Sequence, residues 1–118
     1  MEEKRKSEIV LKVELDKNNV PLDIKWKASD SEHKELKDCK SFLVSIWDPF
    51  EKNALSIHLW TKAMQVDEMN HLYMQTLMNF TDSFQKATGN PMVKKQLNEF
   101  LEKFAKDTAE WARSSGQE

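Results

Sequence analysis

Three histidines and one cysteine carry the chain's strongest metal-binding and nucleophilic chemistry, and their spacing supports neither use. His33, His58 and His71 fall in three different predicted elements, with no HxxxH or HxH pair. Cys39 is the only cysteine, so neither a zinc site of ordinary spacing nor an intrachain disulfide is expected. Gly89 and Gly116 are the only glycines, too few for a loop that brings backbone against a phosphate. No GxSxG elbow occurs, and the sequence gives no reason to pair Cys39 with a histidine. The acidic residues are spread along polar faces, as solvating charge is. The chain is expected to be non-catalytic, with no cofactor and no metal.

What remains is the chemistry of contact. Leu43, Trp47 and Trp60 alternate onto one strand face together with His58 and with Lys12, Lys25 and Lys27. Tryptophans on a water-facing sheet suit binding, because they bury a large area at low entropic cost; they also suit packing beneath a neighbouring loop. Met74 and Met78 stand one turn apart and off the main apolar stripe of their helix. Adaptable methionines there fit either a contact with another molecule or lateral packing on a second helix. The candidate partner-binding residues are therefore Leu43, Trp47, His58, Trp60, Met74 and Met78.

The elements that must position them follow from a change of period. Up to about Leu59 the apolar residues alternate, as in strands; after Met69 they recur every three or four residues, as in amphipathic helices. Strands are predicted at about 7–16, 21–28, 39–47 and 54–60, and helices at about 66–88 and 91–113, with residues 114–118 a frayed tail. Asp16 to Asn19 forms a turn in which asparagine tolerates left-handed backbone. Pro21 is acceptable at a strand entrance. Ser29 to Asp38 lacks periodicity and reads as a mobile loop that could hold one helical turn. The turn from Asp48 to Asn53 sets a register with Trp47 opposite Ala54 and Leu43 opposite His58. Gly89 ends the first helix, and Asn90 caps the second with Pro91 at its first position.

Together these elements predict an α+β fold: a four-stranded antiparallel meander followed by two antiparallel amphipathic helices packed on one sheet face. Four strands span roughly 19 Å, about the width that two helices 8 to 10 Å apart can cover. One sheet face is then shielded and the other meets water or a partner. The 118 residues are read as a single domain.

Composition narrows the partners. With 18 basic and 20 acidic residues the net charge is −2, which gives no drive toward nucleic acid or anionic lipid. Lys12 and Glu14 interrupt the first apolar stretch, so no secretory signal is expected there. No run approaches the roughly 20 apolar residues of a membrane span. A cytoplasmic protein is expected, without membrane insertion.

Three segments, SEIVLKVELD, VSIWDPFEKNALSIHLWTKAMQVDEM and ATGNPMV, appear in an order that resembles the gliding motility-associated GldC family. Trp47, Asp48, Lys52, Asn53, Trp60, Lys62, Asp67 and Glu68 match its pattern. The chain departs from it at Ala63 and Gln65, where an acidic residue and a proline are common, and in the methionines of the first helix. The resemblance implies a small cytosolic accessory protein of gliding motility with no catalytic residues to carry over. Trp47-Asp48-Pro49 would set hairpin geometry, and Asp67 and Glu68 would suit the first helical turn. The expected partner is another cytosolic protein, with the gliding machinery as one source, or further copies of the chain as a homodimer or higher oligomer. The alternative is a small export chaperone whose four strands and two helices resemble the SecB layout.

Overall fold

In a computed structural model, described here for residues 4–115, strands come first and helices second. The order is β1 (Ile9–Leu15), β2 (Pro21–Ala28), β3 (Lys37–Cys39), β4 (Ser41–Asp48), β5 (Asn53–Trp60), α1 (Val66–Thr88) and α2 (Met92–Ser114). The chain divides into two compact units, one ending at Met64 and the other beginning at Gln65. The fold is α+β with antiparallel pairing throughout.

One expectation needs correction. The strands form two sheets, β1-β2-β3 and β4-β5, rather than a single four-stranded meander. The segment read as one strand from residue 39 divides at Lys40: β3 pairs with β2, and β4 pairs with β5. The cause lies in the length of β2. With Ile24 opposite Cys39 and Trp26 opposite Lys37, continuing that register would set Phe42 against Pro21, which has no N–H. Residues beyond Phe42 would face the Asp16–Val20 turn instead of a strand. Among the described strands, β4 therefore has a neighbour on one side only.

The turn that ends β1 is built by Asp16. Its Oδ1 accepts the N–H groups of Asn18 at 2.7 Å and Val20 at 3.0 Å, and Asn19 takes the left-handed φ of 64°. Residues 29–36 are held locally: Ala28 N–H donates to the His33 carbonyl at 2.8 Å, and the rings of Trp26 and His33 lie 4.8 Å apart. No helical turn forms there, and the end of the expected loop is β3. On β2, Ile24 is fully buried and anchors the three-stranded sheet.

In the second unit, α1 begins with Asp67 and Glu68 in its first turn; Gln65 N–H donates to Glu68 Oε1 at 3.1 Å. It ends at Gly89 (φ 70°), whose N–H reaches Gln85 O at 2.8 Å. Asn90 Oδ1 then accepts the Met92 N–H at 3.0 Å, while Pro91 already holds helical dihedrals. Thr81 and Leu101 are the most buried residues of the two helices. Residues 116–118 of the expected frayed tail lie outside the described residues.

Candidate partner-binding surface

The β4–β5 hairpin organises four of the six candidate residues. Its register sets Ser41 opposite Trp60, Leu43 opposite His58, Ser45 opposite Ser56 and Trp47 opposite Ala54. Opposed residues of an antiparallel pair share a face, so these four rungs make one surface. Leu43, His58 and Trp60 occupy neighbouring rungs and form one patch. Trp47 is separated from them by a hydroxyl bridge, Ser45 Oγ to Ser56 Oγ at 2.9 Å. Six residues of strand at about 3.4 Å each put the Trp47 rung roughly 20 Å from the Trp60 rung, so the two tryptophans do not share a pocket. Trp47 is 64% exposed and Trp60 48%.

The opposite face carries Phe42 with Leu59, Val44 with Ile57, and Ile46 with Leu55. Ile46, Ile57 and Leu55 are about half exposed, so the hairpin is apolar on both sides. At its tip, Asp48 Oδ1 accepts the Phe50 N–H at 2.9 Å, and Phe50 is 93% exposed. Sequence reasoning treated Phe50 only as a turn residue. Its signal was an aromatic immediately after Asp48-Pro49: the aspartate holds the backbone and leaves the ring outside.

The methionines lie elsewhere. Met74 lines a shallow groove of about 280 Å³ between α1 and α2, facing Phe104, Ala105 and Thr108. Met78, a turn further on, is half exposed. The structure does not bring either into the hairpin surface. At about 100° per residue, Val66, Phe80 and Phe84 of α1 and Phe100 and Trp111 of α2 share the other broad side of the helix pair. All five are exposed, a second apolar surface absent from the sequence-based candidate residues.

The charged residues read as partners of the strands belong mainly to the three-stranded sheet. Lys12 lies opposite Lys25, and Val10 opposite Lys27. Lys25 Nζ bonds Asp38 and sits 3.5 Å from Asp23, and the Asp38 hydrogen bond raises its pKa. Burial pushes the Cys39 thiol up, with Asp23 and Asp38 adding to the effect, so it stays protonated and weakly nucleophilic at neutral pH. Asp16 is pulled down to about 2, first by Lys62 Nζ at 2.9 Å and then by the Val20 and Asn18 N–H groups. Thr61, just beyond β5, is 5% exposed and its Oγ1 has no hydrogen-bond partner among the described residues. Among the described residues, no three His, Cys, Asp or Glu side chains gather as a metal site, and no helix is long and apolar enough to cross a membrane.

The family model described as gliding motility-associated protein GldC-like matches residues 21–110. That span holds the β4–β5 hairpin and most of both helices, and leaves the SEIVLKVELD segment outside. No curated protein and no solved structure matches the chain.

Proposed function

The chain belongs to the GldC-like family of gliding motility-associated proteins, and from that premise we propose that it is a non-catalytic adaptor acting in the cytoplasm. It binds another protein through the Leu43–His58–Trp60 face of the β4–β5 hairpin. The observation that supports this reading is the hairpin itself. An isolated two-stranded ribbon is marginal in water, yet this one exposes large apolar side chains on both faces. Contiguous exposed apolar residues rimmed by polar ones mark contact surfaces. The patch offers an aromatic anchor in Trp60, an aliphatic neighbour in Leu43 and a polar edge in His58, the mixture that concentrates binding energy at interfaces.

The test uses the full chain in its gliding host. A tagged wild-type chain is expected to recover a motility component and to restore gliding to a strain lacking the gene. A Leu43→Ala, Trp60→Ala double variant is expected to lose both while keeping the wild-type circular dichroism spectrum. A double variant that binds and restores gliding as well as wild type refutes this surface.

The half-exposed Phe80, Phe100 and Trp111 of the helix pair support a second reading, a chaperone that holds unfolded chains on broad apolar surfaces. A chaperone suppresses aggregation of several unrelated unfolded proteins; an adaptor leaves them to aggregate.

A further inference from the structure

We propose that the outer edge of β4 pairs antiparallel with β4 of a second copy, joining two hairpins into one four-stranded sheet across a two-fold axis at Val44. This goes beyond the adaptor reading and stands without it, because it uses the backbone edge of the hairpin rather than the Leu43–His58–Trp60 face.

The argument starts from which backbone groups of β4 are used. Thr61 N–H donates to Lys40 O at 2.8 Å, and the Ser41 hydroxyl donates to Leu59 O at 2.9 Å. The backbone bond from Thr61 places Lys40, and with it the even-numbered residues of β4, on the rungs that bond toward β5. Leu43, Ser45 and Trp47 therefore direct their N–H and C=O groups to the other side, where β2 has already ended. Such an edge is a template for another strand, and proteins that stay apart blunt it with lysine, proline, a bulge or a short strand. β1 carries Lys12 and an irregularity at Glu14/Leu15, and β3 has only 3 residues. β4 has 8 residues, SFLVSIWD, with none of these devices.

Charge identifies the occupant as a second copy and selects β4 over β5. Pairing β4 with itself about Val44 sets Leu43 opposite Ser45 of the partner, and Lys40 opposite Asp48 of the partner at both ends. Phe42, Val44 and Ile46 of the two copies then join on one face. Ile46, 53% exposed in the single chain, gains neighbours there. The same operation on β5 about Ile57 would set Lys52 against Lys62, like charges at both ends. An isologous two-fold contact needs a self-complementary segment; β4 has that pattern and β5 has its opposite.

The test measures mass and cross-linking of the full chain. Wild type is expected to show twice the chain mass of 13.9 kDa by light scattering over a wide concentration range. Ser45→Pro removes an outward N–H, and the Ser56 bridge with it, while leaving the backbone bonds to β5 in place, so it is expected to halve that mass with the circular dichroism spectrum retained. Ser45→Ala removes only the bridge to Ser56 and is expected to remain a dimer. In a Cys39→Ser background, Val44→Cys on the two-fold axis is expected to form an intermolecular disulfide. Opposed residues of a rung that is not hydrogen-bonded lie about 4.5 Å apart at Cα, within disulfide reach. Leu43→Cys in the same background is expected to stay reduced. Wild type at single-chain mass throughout, or Ser45→Pro at wild-type mass, overturns the proposal. Cross-linking at Leu43→Cys but not at Val44→Cys overturns the Val44 axis.

Discussion

Replacing Thr61 with valine is expected to stabilise this protein, against the usual direction for a change at a buried site. Thr61 is 5% exposed and its Oγ1 is the buried side-chain polar atom left without a partner among the described residues. Its backbone N–H, bonded to Lys40 O at 2.8 Å, is untouched by the change. Thr→Val keeps the shape and swaps a hydroxyl for a methyl. An unsatisfied buried hydroxyl costs about 1–3 kcal/mol, and a buried methyl contributes about 0.8 kcal/mol. Allowing for local relaxation, the expected gain is about 1–2 kcal/mol. Thr81→Val is the control: Thr81 is 2% exposed, but its hydroxyl donates to Leu77 O at 2.8 Å. Losing that bond is expected to cost about 0.5–1.5 kcal/mol. Urea titration followed by tryptophan fluorescence reads both, with the midpoint rising for Thr61→Val and falling for Thr81→Val at unchanged slope. A fall of about 1 kcal/mol or more for Thr61→Val would show that the hydroxyl is satisfied, and the reasoning would fail.

Three further outcomes are expected. Asp16 has a depressed folded-state pKa of about 2, so its contribution is fully present above the ordinary carboxylate range and is lost as pH falls from about 4 to about 2. Urea midpoints of wild type and Asp16→Asn should therefore differ at pH 7 and converge near pH 2; a gap unchanged by acid would refute the assignment. Gly89→Ala meets no atom within 4 Å, so its cost should be the backbone strain at φ +70° alone, about 1 kcal/mol by thermal denaturation. Leu101, 8% exposed, should lose about 2–4 kcal/mol as Leu101→Ala, whereas Phe80→Ala, at a residue 57% exposed, should cost much less in the single chain.

The proposed function is binding rather than a reaction, so surface variants and assembly state become the informative measurements. The hairpin gives two separable handles. Leu43 and Trp60 change what its face can hold, and Ser45→Pro read against Ser45→Ala isolates what its edge can pair with. A gliding strain rescued by one variant and not by the other would separate partner recognition from self-assembly.

Much of the architecture was legible in local residue order, because local order governs it. Asp16 and Asn19 specified a turn because a carboxylate can bond nearby N–H groups and asparagine tolerates positive φ. The length of the Asp48–Asn53 turn set the pairing of Leu43 with His58 and Trp47 with Ala54. Gly89 marked a helix end because the left-handed cap carries no penalty at glycine. The WDP, LWTK and VDEM strings carried the family. Only the tertiary structure showed the break at Lys40, since it depends on where β2 ends at Pro21, a residue distant in sequence from the strand it interrupts. The local pinning of residues 29–36, the outward ring of Phe50, the groove position of Met74 and the orphan hydroxyl of Thr61 were likewise decided in space. Period and turn chemistry act over a few neighbouring residues; which strand runs out of partner, and which side chain is left uncovered, depends on segments that meet only once the chain has folded.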